Sequence, residues 1–221
     1  MLGEMYAHGK GVAKNAAEAA PWLRKAADQG LAAAQVSLGL LYNTGEGVGR
    51  NPDEAAKWFR KAAEQGEPQA QFNLAALYLT GQIPFQDPGE PEKWLRKAAD
   101  QGVAKAQYFL AGQYESGKTM PKDLAIAAQW YLKAAEQGYP SAMAALAVMY
   151  SKGQGVPQDL VHAYMWSDLA MAKLPPTEKK RRQEVENIRR TYAMEMSPQQ
   201  RAAGERLARE WQPKGTPVAA D

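Results

Sequence analysis

Residues 34–66 read AQVSLGLLYNTGEGVGRNPDEAAKWFRKAAEQG, and the same order of leucine, tyrosine, glycine and tryptophan recurs along the chain at a step of 36 residues. The leucines are Leu2, Leu38, Leu74, Leu110 and Leu146. The tyrosines are Tyr6, Tyr42, Tyr78, Tyr114 and Tyr150, and the tryptophans are Trp22, Trp58, Trp94, Trp130 and Trp166. Fixed periods of this length are typical of repeat architectures, so the chain is predicted to hold five copies of one structural unit.

Each copy predicts a pair of helices. In the second copy we expect the first helix to run from Ala32 to about Tyr42, because Ala34 and Leu38 then share one face with Tyr42. Gly45-Glu46-Gly47-Val48 follows and breaks the helix, since glycine disfavours helical structure and accepts a positive φ.

The second helix of the pair has clear start and stop signals. Asn51-Pro52-Asp53-Glu54 is typical of an N-cap, a proline at N1 and a glutamate at N3, and Gly66 is expected to end the helix. The five copies carry an Asn or Asp at the cap position: Asn15, Asn51, Asp87, Asp123 and Asp159. The expected buried residues of this helix are Ala55, Trp58, Phe59 and Ala62. The expected solvent-facing residues are Lys57, Arg60, Lys61 and Glu64.

Two prolines depart from this pattern. Pro21 lies inside the second helix of the first copy, where it removes a hydrogen bond and is expected to bend the helix. Pro91 stands at a helical position of the third copy, so we expect that helix to begin near Glu90 or Pro91 itself.

The C-terminal region does not follow the repeat. Pro175-Pro176 is expected to stop the last repeat helix, Thr177 to cap a helix over about 178–195, and Ser197-Pro198-Gln199-Gln200 to open a final helix with a capping box. Helical repeat arrays need a terminal cap with a polar outer face. The predicted domains are 1–174, five repeats with the first one truncated; 175–212, a capping hairpin; and 213–221, a disordered tail.

Alternation with a period of two is absent, which predicts an all-α chain. One helix pair cannot bury its own apolar face, whereas stacked pairs can, so the expected architecture is a right-handed α-solenoid. The tryptophan and tyrosine series are therefore interpreted as core residues.

The pattern A-x3-LG-x2-Y-x2-G-x-GV-x2-N-x3-A-x2-W-x-RKAA-x-QG resembles that of the Sel-one-like repeat family, a relative of the tetratricopeptide repeats. Residues 34–66 carry almost every signature residue, and the resemblance spans about residues 2–172. It implies an α-solenoid and only a class of function. Members are mostly non-enzymatic adaptors that assemble other proteins, and many bacterial members are exported.

Composition excludes several classes of protein. The chain has no cysteine, so disulfide frameworks, thiolate zinc sites and cysteine nucleophiles are excluded. The net charge of +3 demands no polyanionic partner, and no apolar run approaches the ~20 residues of a membrane span. By the repeat step the chain starts inside a helix, without the features of a signal peptide. The location stays open: periplasmic or secreted if an upstream signal peptide is missing, cytoplasmic otherwise.

Signals for chemistry are weak. Residues 112–119 read GQYESGKT and match a phosphate-binding loop as a string, but the repeat places their first part within a helix. His8 and His162 lie four copies apart, so they cannot share a metal or a catalytic role. The basic runs 179–182 and 189–190 are interrupted by glutamates, which favours a solvated helix face over a nucleic-acid site. We expect no enzymatic activity, no cofactor, no bound metal and no nucleic-acid partner.

Positions that the repeat does not fix are the candidates for binding. In tetratricopeptide relatives the corresponding face of the first helices lines a concave groove, and by analogy the candidate residues are Val36, Leu40, Asn43, Phe72, Leu79, Tyr108 and Glu115. Phe72 and Tyr108 are expected on neighbouring helices, ~10 Å apart, either as exposed aromatic anchors or as residues buried by a neighbouring helix.

The leading hypothesis is therefore a monomeric, non-enzymatic scaffold that binds a partner protein or peptide in this groove. One alternative is an exported inhibitor or immunity protein for a toxic enzyme. The other is a hydrolase, β-lactamase-like, with its site in the groove. Cysteine-rich members of the family have been discussed in that last context, and the lack of cysteine separates this chain from them.

Overall fold

The computed structural model describes residues 2–84, 87 and 89–214, and these residues form twelve α-helices and no β-strand. The helices are α1 Leu2–His8, α2 Ala16–Asp28, α3 Ala32–Thr44, α4 Pro52–Glu64, α5 Pro68–Leu79, α6 Glu90–Asp100, α7 Ala104–Ser116, α8 Leu124–Glu136, α9 Pro140–Lys152, α10 Leu160–Lys173, α11 Lys179–Glu195 and α12 Pro198–Glu210. The prediction of an all-α chain built from helix pairs is confirmed.

The helices divide into two compact units. The first unit, Met1–Val103, contains α1 to α6, and each of these helices packs against the next. The second unit, Ala104–Asp221, contains α7 to α12; here α11 packs on α9 and α10, and α12 packs on α10. The predicted domain boundaries after residues 174 and 212 stay predictions, and residues 215–221 of the predicted tail lie outside the described residues.

Four of the five predicted N-caps are confirmed. The side chains of Asn15, Asn51 and Asp123 each accept a hydrogen bond from the backbone N–H three residues later, and Asp159 accepts from the two N–H groups of Val161 and His162. These bonds satisfy donors that a helix start would otherwise leave without a partner.

The prediction that Asp87 caps the second helix of the third repeat is wrong. That helix, α6, begins at Glu90, as the sequence also indicated. The carbonyl of an N-cap residue accepts a hydrogen bond from the N–H four residues later. For Asp87 that residue is Pro91, which has no N–H. The other proline behaves differently, since α2 runs unbroken through Pro21 to Asp28.

The prediction that Thr177 caps α11 is also wrong. Glu178 is the N-cap residue, without a side-chain capping bond, and its N–H donates to the Pro175 carbonyl at 3.0 Å. The turn after the two prolines therefore delays the helix by one residue. The capping box at the start of α12 is confirmed, because Ser197 and Gln200 exchange both predicted bonds.

The repeated leucines and tryptophans form most of the core. Leu38, Leu74, Leu110 and Leu146 are fully buried, and Trp58, Trp94 and Trp166 are nearly so. Trp22 is an exception at 45% exposure, and Trp130 is half-buried. The Arg24 guanidinium lies 5.8 Å from the Trp58 ring and covers it from the preceding copy.

Buried glutamines link successive repeats, a feature that the sequence analysis missed. Gln35 donates to the Ala27 carbonyl of the preceding repeat at 3.1 Å and accepts from the Gln65 amide at 2.8 Å. The next copy repeats this geometry: Gln71 donates to Ala63 at 3.2 Å and accepts from Gln101 at 2.9 Å. The 36-residue step of these glutamines was the available signal. Each buried amide is thus paired, which avoids the cost of an unsatisfied polar group.

Glycine is required in a loop where two repeats meet. Gly47, in the loop after α3, has φ +70°, and a Cβ there would lie 2.3 Å from the carbonyl carbon of Ala16, the first residue of α2. Gly66, after α4, has φ +95° but open space around its Cα. The first position therefore needs glycine for both conformation and close approach, and the second for conformation alone.

Candidate protein-interaction face

The candidate binding residues lie on one side of the first helix of each repeat. We call this side the first-helix face: Val36, Leu40 and Asn43 on α3; Phe72, Ala76 and Leu79 on α5; Tyr108, Gly112 and Glu115 on α7; Ala144, Val148 and Ser151 on α9. The first two helices belong to the first unit and the last two to the second.

The structure corrects the expected exposure of these residues. Phe72 is only 4% exposed, so the prediction of an exposed anchor there is wrong. Tyr108 is half-buried and lies in the other unit, so the two rings do not form one open aromatic pair within a unit. Leu40 is 39% exposed and is the most open apolar candidate. The remaining four, Val36, Asn43, Leu79 and Glu115, are half-buried.

In the first unit, neighbouring first helices touch through short polar side chains. Ser37 of α3 donates to the Glu4 carboxylate of α1 at 2.7 Å. By the 36-residue step, Leu40 of α3 and Asn73 of α5 are the equivalents of Glu4 and Ser37. The repeat geometry therefore puts an exposed leucine next to an amide.

Asn43 of this face and Asn73, which follows Phe72 on α5, each have a polar atom without a partner. Within the described residues, Asn43 Oδ1 and Asn73 Nδ2 make no hydrogen bond, although both atoms are covered. Asn73 uses only its oxygen, which accepts from Gln69 at 3.0 Å. An acceptor and a donor near Leu40 are thus unpaired, but both atoms are covered, and the amides must rotate outward before either can bond a polypeptide backbone.

In the second unit the same face is covered by α11. Between α11 and the helices α7 and α9 lies a cleft of about 180 Å³. Its lining is Tyr108, Glu115, Tyr131, Ser141, Ala144, Ala145, Val148, Arg181, Glu184 and Val185. The predicted groove residues Tyr108 and Glu115 therefore face a helix of their own chain.

A polar network holds this cleft. The Tyr131 hydroxyl donates to Glu115 Oε2 at 2.6 Å, and the Arg181 guanidinium donates to the Tyr108 hydroxyl at 2.9 Å. The Tyr108 ring lies 5.6 Å from the Tyr131 ring and 5.2 Å from the Tyr139 ring. Burial, followed by the bond to Glu115, raises the pKa of Tyr131, and burial also raises the pKa of Tyr139.

The basic residues of α11 were predicted to form a solvated helix face. In the structure, two of them also bind α10. Arg182 donates to the carbonyls of Met171 and Leu174 at 3.0 and 2.7 Å, at the C-terminal end of α10. Arg189 pairs with Asp168 of α10 at 2.5 Å. A cation is favourable at the last turn of a helix, where carbonyls lack partners. The remaining basic residues, Lys179, Lys180 and Arg190, are exposed as expected.

A second ion-pair cluster lies on the outer side of the first unit. Arg60 was expected to face water, but it is half-buried and donates to the Tyr78 hydroxyl and to Glu90. Trp94 also donates to Glu90 Oε1, at 3.3 Å. Burial acts to raise the pKa of Glu90, but the bonds from Arg60 and Trp94 outweigh burial and lower it.

The weak chemical signals stay isolated in the structure. Residues 112–116 of the phosphate-loop string belong to α7, so the strand–loop–helix context is missing. His8 contacts Glu4 at 3.1 Å and His162 contacts Asp159 at 2.7 Å, each on its own helix end. Among the residues that the structure describes, no group of three His, Asp or Glu side chains could hold a metal ion, and no helix is long and apolar enough to cross a membrane.

The comparisons with known proteins agree with this architecture. The Sel1 repeat family model matches residues 1–31, 32–67, 68–103, 104–139 and 140–172. The chain therefore belongs to the Sel1 repeat family, whose members mediate protein–protein interaction and are typically non-catalytic scaffolds. None of the curated proteins matches the chain.

Three solved structures have folds similar to that of this chain. A protective antigen of uropathogenic Escherichia coli with an SLR fold is 33% identical, with a TM-score of 0.84 over 95% of this chain and 44% of that chain. A Sel1 repeat protein from Oxalobacter formigenes is 34% identical, with a TM-score of 0.76 over 96% and 86%. An immunity protein from Pseudomonas aeruginosa is 17% identical, with a TM-score of 0.51 over 94% and 82%, which shows a shared fold alone. The chain thus spans less than half the length of the antigen.

Proposed function

We propose that this chain is a protein-binding module without chemistry of its own, which holds a segment of a partner protein on the first-helix face of its first unit. The observation that carries the proposal is the second unit, where the same face already holds a helix, α11. The repeats share one geometry, so a surface that accepts a helix in one copy is suited to accept a segment in another.

The chemistry of the first unit fits such a partner. Leu40 provides an exposed apolar contact, and the unpaired acceptor of Asn43 and donor of Asn73 can pair with a polypeptide backbone once these covered amides rotate outward. An exposed apolar residue flanked by polar groups is the usual composition of a recognition site. An immunity protein that blocks a toxic enzyme would use the same face, so that alternative differs in its partner and not in its surface.

The experiment begins with a peptide library displayed on phage and selected against the full chain. We expect selected peptides to lose about tenfold or more in affinity on Leu40→Glu, because a carboxylate would then lie in the apolar contact. Lys25→Glu is the matched control, since it adds the same carboxylate at an exposed position on α2. Selected peptides that lose affinity with Lys25→Glu and not with Leu40→Glu would refute the location of the site. Failure to select any binder would refute the binding function.

A further inference from the structure

The helix α11 is held by few buried contacts. It has 17 residues, of which only Val185 is fully buried. By comparison, α9 has 13 residues and eight of them are buried. Segments with few buried apolar contacts open at a lower free energy than the rest of a domain. The structure therefore places on the first-helix face of the second unit a helix with one buried side chain. Polar bonds of Arg181, Arg182 and Arg189 provide the rest of its attachment.

The residue that enters this face most specifically is Arg181. Its guanidinium donates to the Tyr108 hydroxyl and lies 5.7 Å from the centre of the Tyr108 ring. The Tyr131 ring and the Glu115 carboxylate line the same cleft. Aromatic rings beside a carboxylate attract a cation through the ring quadrupole and through charge.

The apolar contact lies one helical turn further on. Val185, four residues after Arg181, lines the cleft together with Ala144 and Ala145 of α9. The two small alanines leave room for a β-branched side chain. Residues four apart share one face of a helix, so the arginine and the valine reach the cleft together.

The covered face retains the character of a binding surface. The cleft of about 180 Å³ is space that α11 leaves unfilled, and Glu115, Tyr131 and Ser141 bring polar atoms to it. Such a face is less costly to expose to water than a purely apolar seam, because its polar groups regain hydration.

We infer that the first-helix face of α7 and α9 recognises a basic amphipathic helix that presents an arginine and, four residues later, a β-branched apolar residue, and that α11 is a built-in occupant which such a partner helix displaces. Tyr108 and Glu115 form the arginine subsite, and Ala144 and Ala145 form the apolar one. This surface is separate from the Leu40 site, so each can fail without the other.

The test uses a fluorescein-labelled synthetic peptide of residues 177–196 as the probe. In the full chain carrying Val185→Asp, α11 loses its buried contact, and we expect the probe to bind in its place. The wild-type chain should bind the probe more weakly, because its own α11 competes at high effective concentration. A probe carrying Arg181→Ala should bind about tenfold or more weakly, because it lacks a charged hydrogen bond and a cation–π contact.

Controls separate the outcomes. If Val185→Asp does not fold, as judged by hydrogen exchange of α9 and α10, the full chain carrying Arg181→Ala replaces it. Leu40→Glu should leave the affinity for the probe unchanged, although it should lower the affinity for the peptides selected on the first unit. Equal affinity of the two probes would overturn the inference. So would a folded variant chain that binds the probe no better than the wild type.

Discussion

Replacing Gly47 with alanine should reveal how tightly two repeats are joined. Gly47 has φ +70°, and a Cβ on it would lie 2.3 Å from the carbonyl carbon of Ala16 and 2.4 Å from the nitrogen of Ala17. Gly66 offers a matched control in the same unit, because it has φ +95° and a Cβ on it would meet nothing within 4 Å. Both substitutions impose the same kind of backbone strain, and only the first adds a collision.

The two effects can be assigned separate magnitudes. A left-handed backbone costs a residue other than glycine about 1–2 kcal/mol, which is the expected loss for Gly66→Ala. The collision at Gly47 is with backbone atoms, so the loop or the start of α2 must move, and overpacking typically adds about 1–3 kcal/mol. We therefore expect Gly47→Ala to lose about 2–5 kcal/mol of unfolding free energy in total.

Urea unfolding at 25 °C, followed by far-ultraviolet circular dichroism, measures both losses. The third and fourth copies carry Ile83 and Thr119 at the position of Gly47, and no described residue other than glycine has a positive φ. Those two loops are therefore built differently. If Gly47→Ala costs no more than Gly66→Ala, the loop has converted to such a geometry, and the argument from close approach is refuted.

Four further substitutions test other parts of the structure. Phe72→Ala should cost about 3–5 kcal/mol in urea unfolding, as for buried aromatics. Leu40→Ala should cost clearly less, about 1 kcal/mol, since more than a third of this side chain is exposed. Burial raises the pKa of Tyr131, so its contribution to stability is present below pH ~10 and is lost as the pH rises further. Tyr131→Phe should therefore flatten the fall in melting temperature between about pH 9.5 and 11. Because the pKa of Glu90 is lowered, its contribution is present at neutral pH and lost as the pH falls through the acidic range; Glu90→Gln should cost about 1 kcal/mol at pH 7 and much less at pH 3, and an equal cost at both would contradict the ion pair with Arg60.

The helix pairs were predictable because their signals are local and recur five times. The caps at Asn51 and Asp123 need only a side chain and an N–H three residues away, which the sequence displays directly. The failure at Asp87 arose where a proline four residues beyond it competed with the cap, and the start of α6 at Glu90 was still predictable from that proline.

The candidate face was less predictable because its burial depends on distant parts of the chain. Helical spacing shows which side of α5 carries Phe72, but not that the folded chain covers it. Arg181 bonds to a hydroxyl 73 residues earlier in the sequence. A run of mixed charges gives no sign of such a partner, so a solvated face was the natural expectation for α11.

The paired glutamines have a consequence for how such an array can grow or end. Gln35 and Gln65 lie within the 36 residues from 32 to 67 that the family model matches as one repeat, so a duplicated block would carry both members of the pair. In the fifth copy Met143 and Lys173 stand at the two equivalent positions, and both amides are absent together. Length can therefore change by whole blocks without stranding an amide, whereas a deletion that removed only one of the two helices would leave one amide without its partner. Because each glutamine pair lies within one repeat, complete repeats can be added or deleted during evolution with their hydrogen bonds intact.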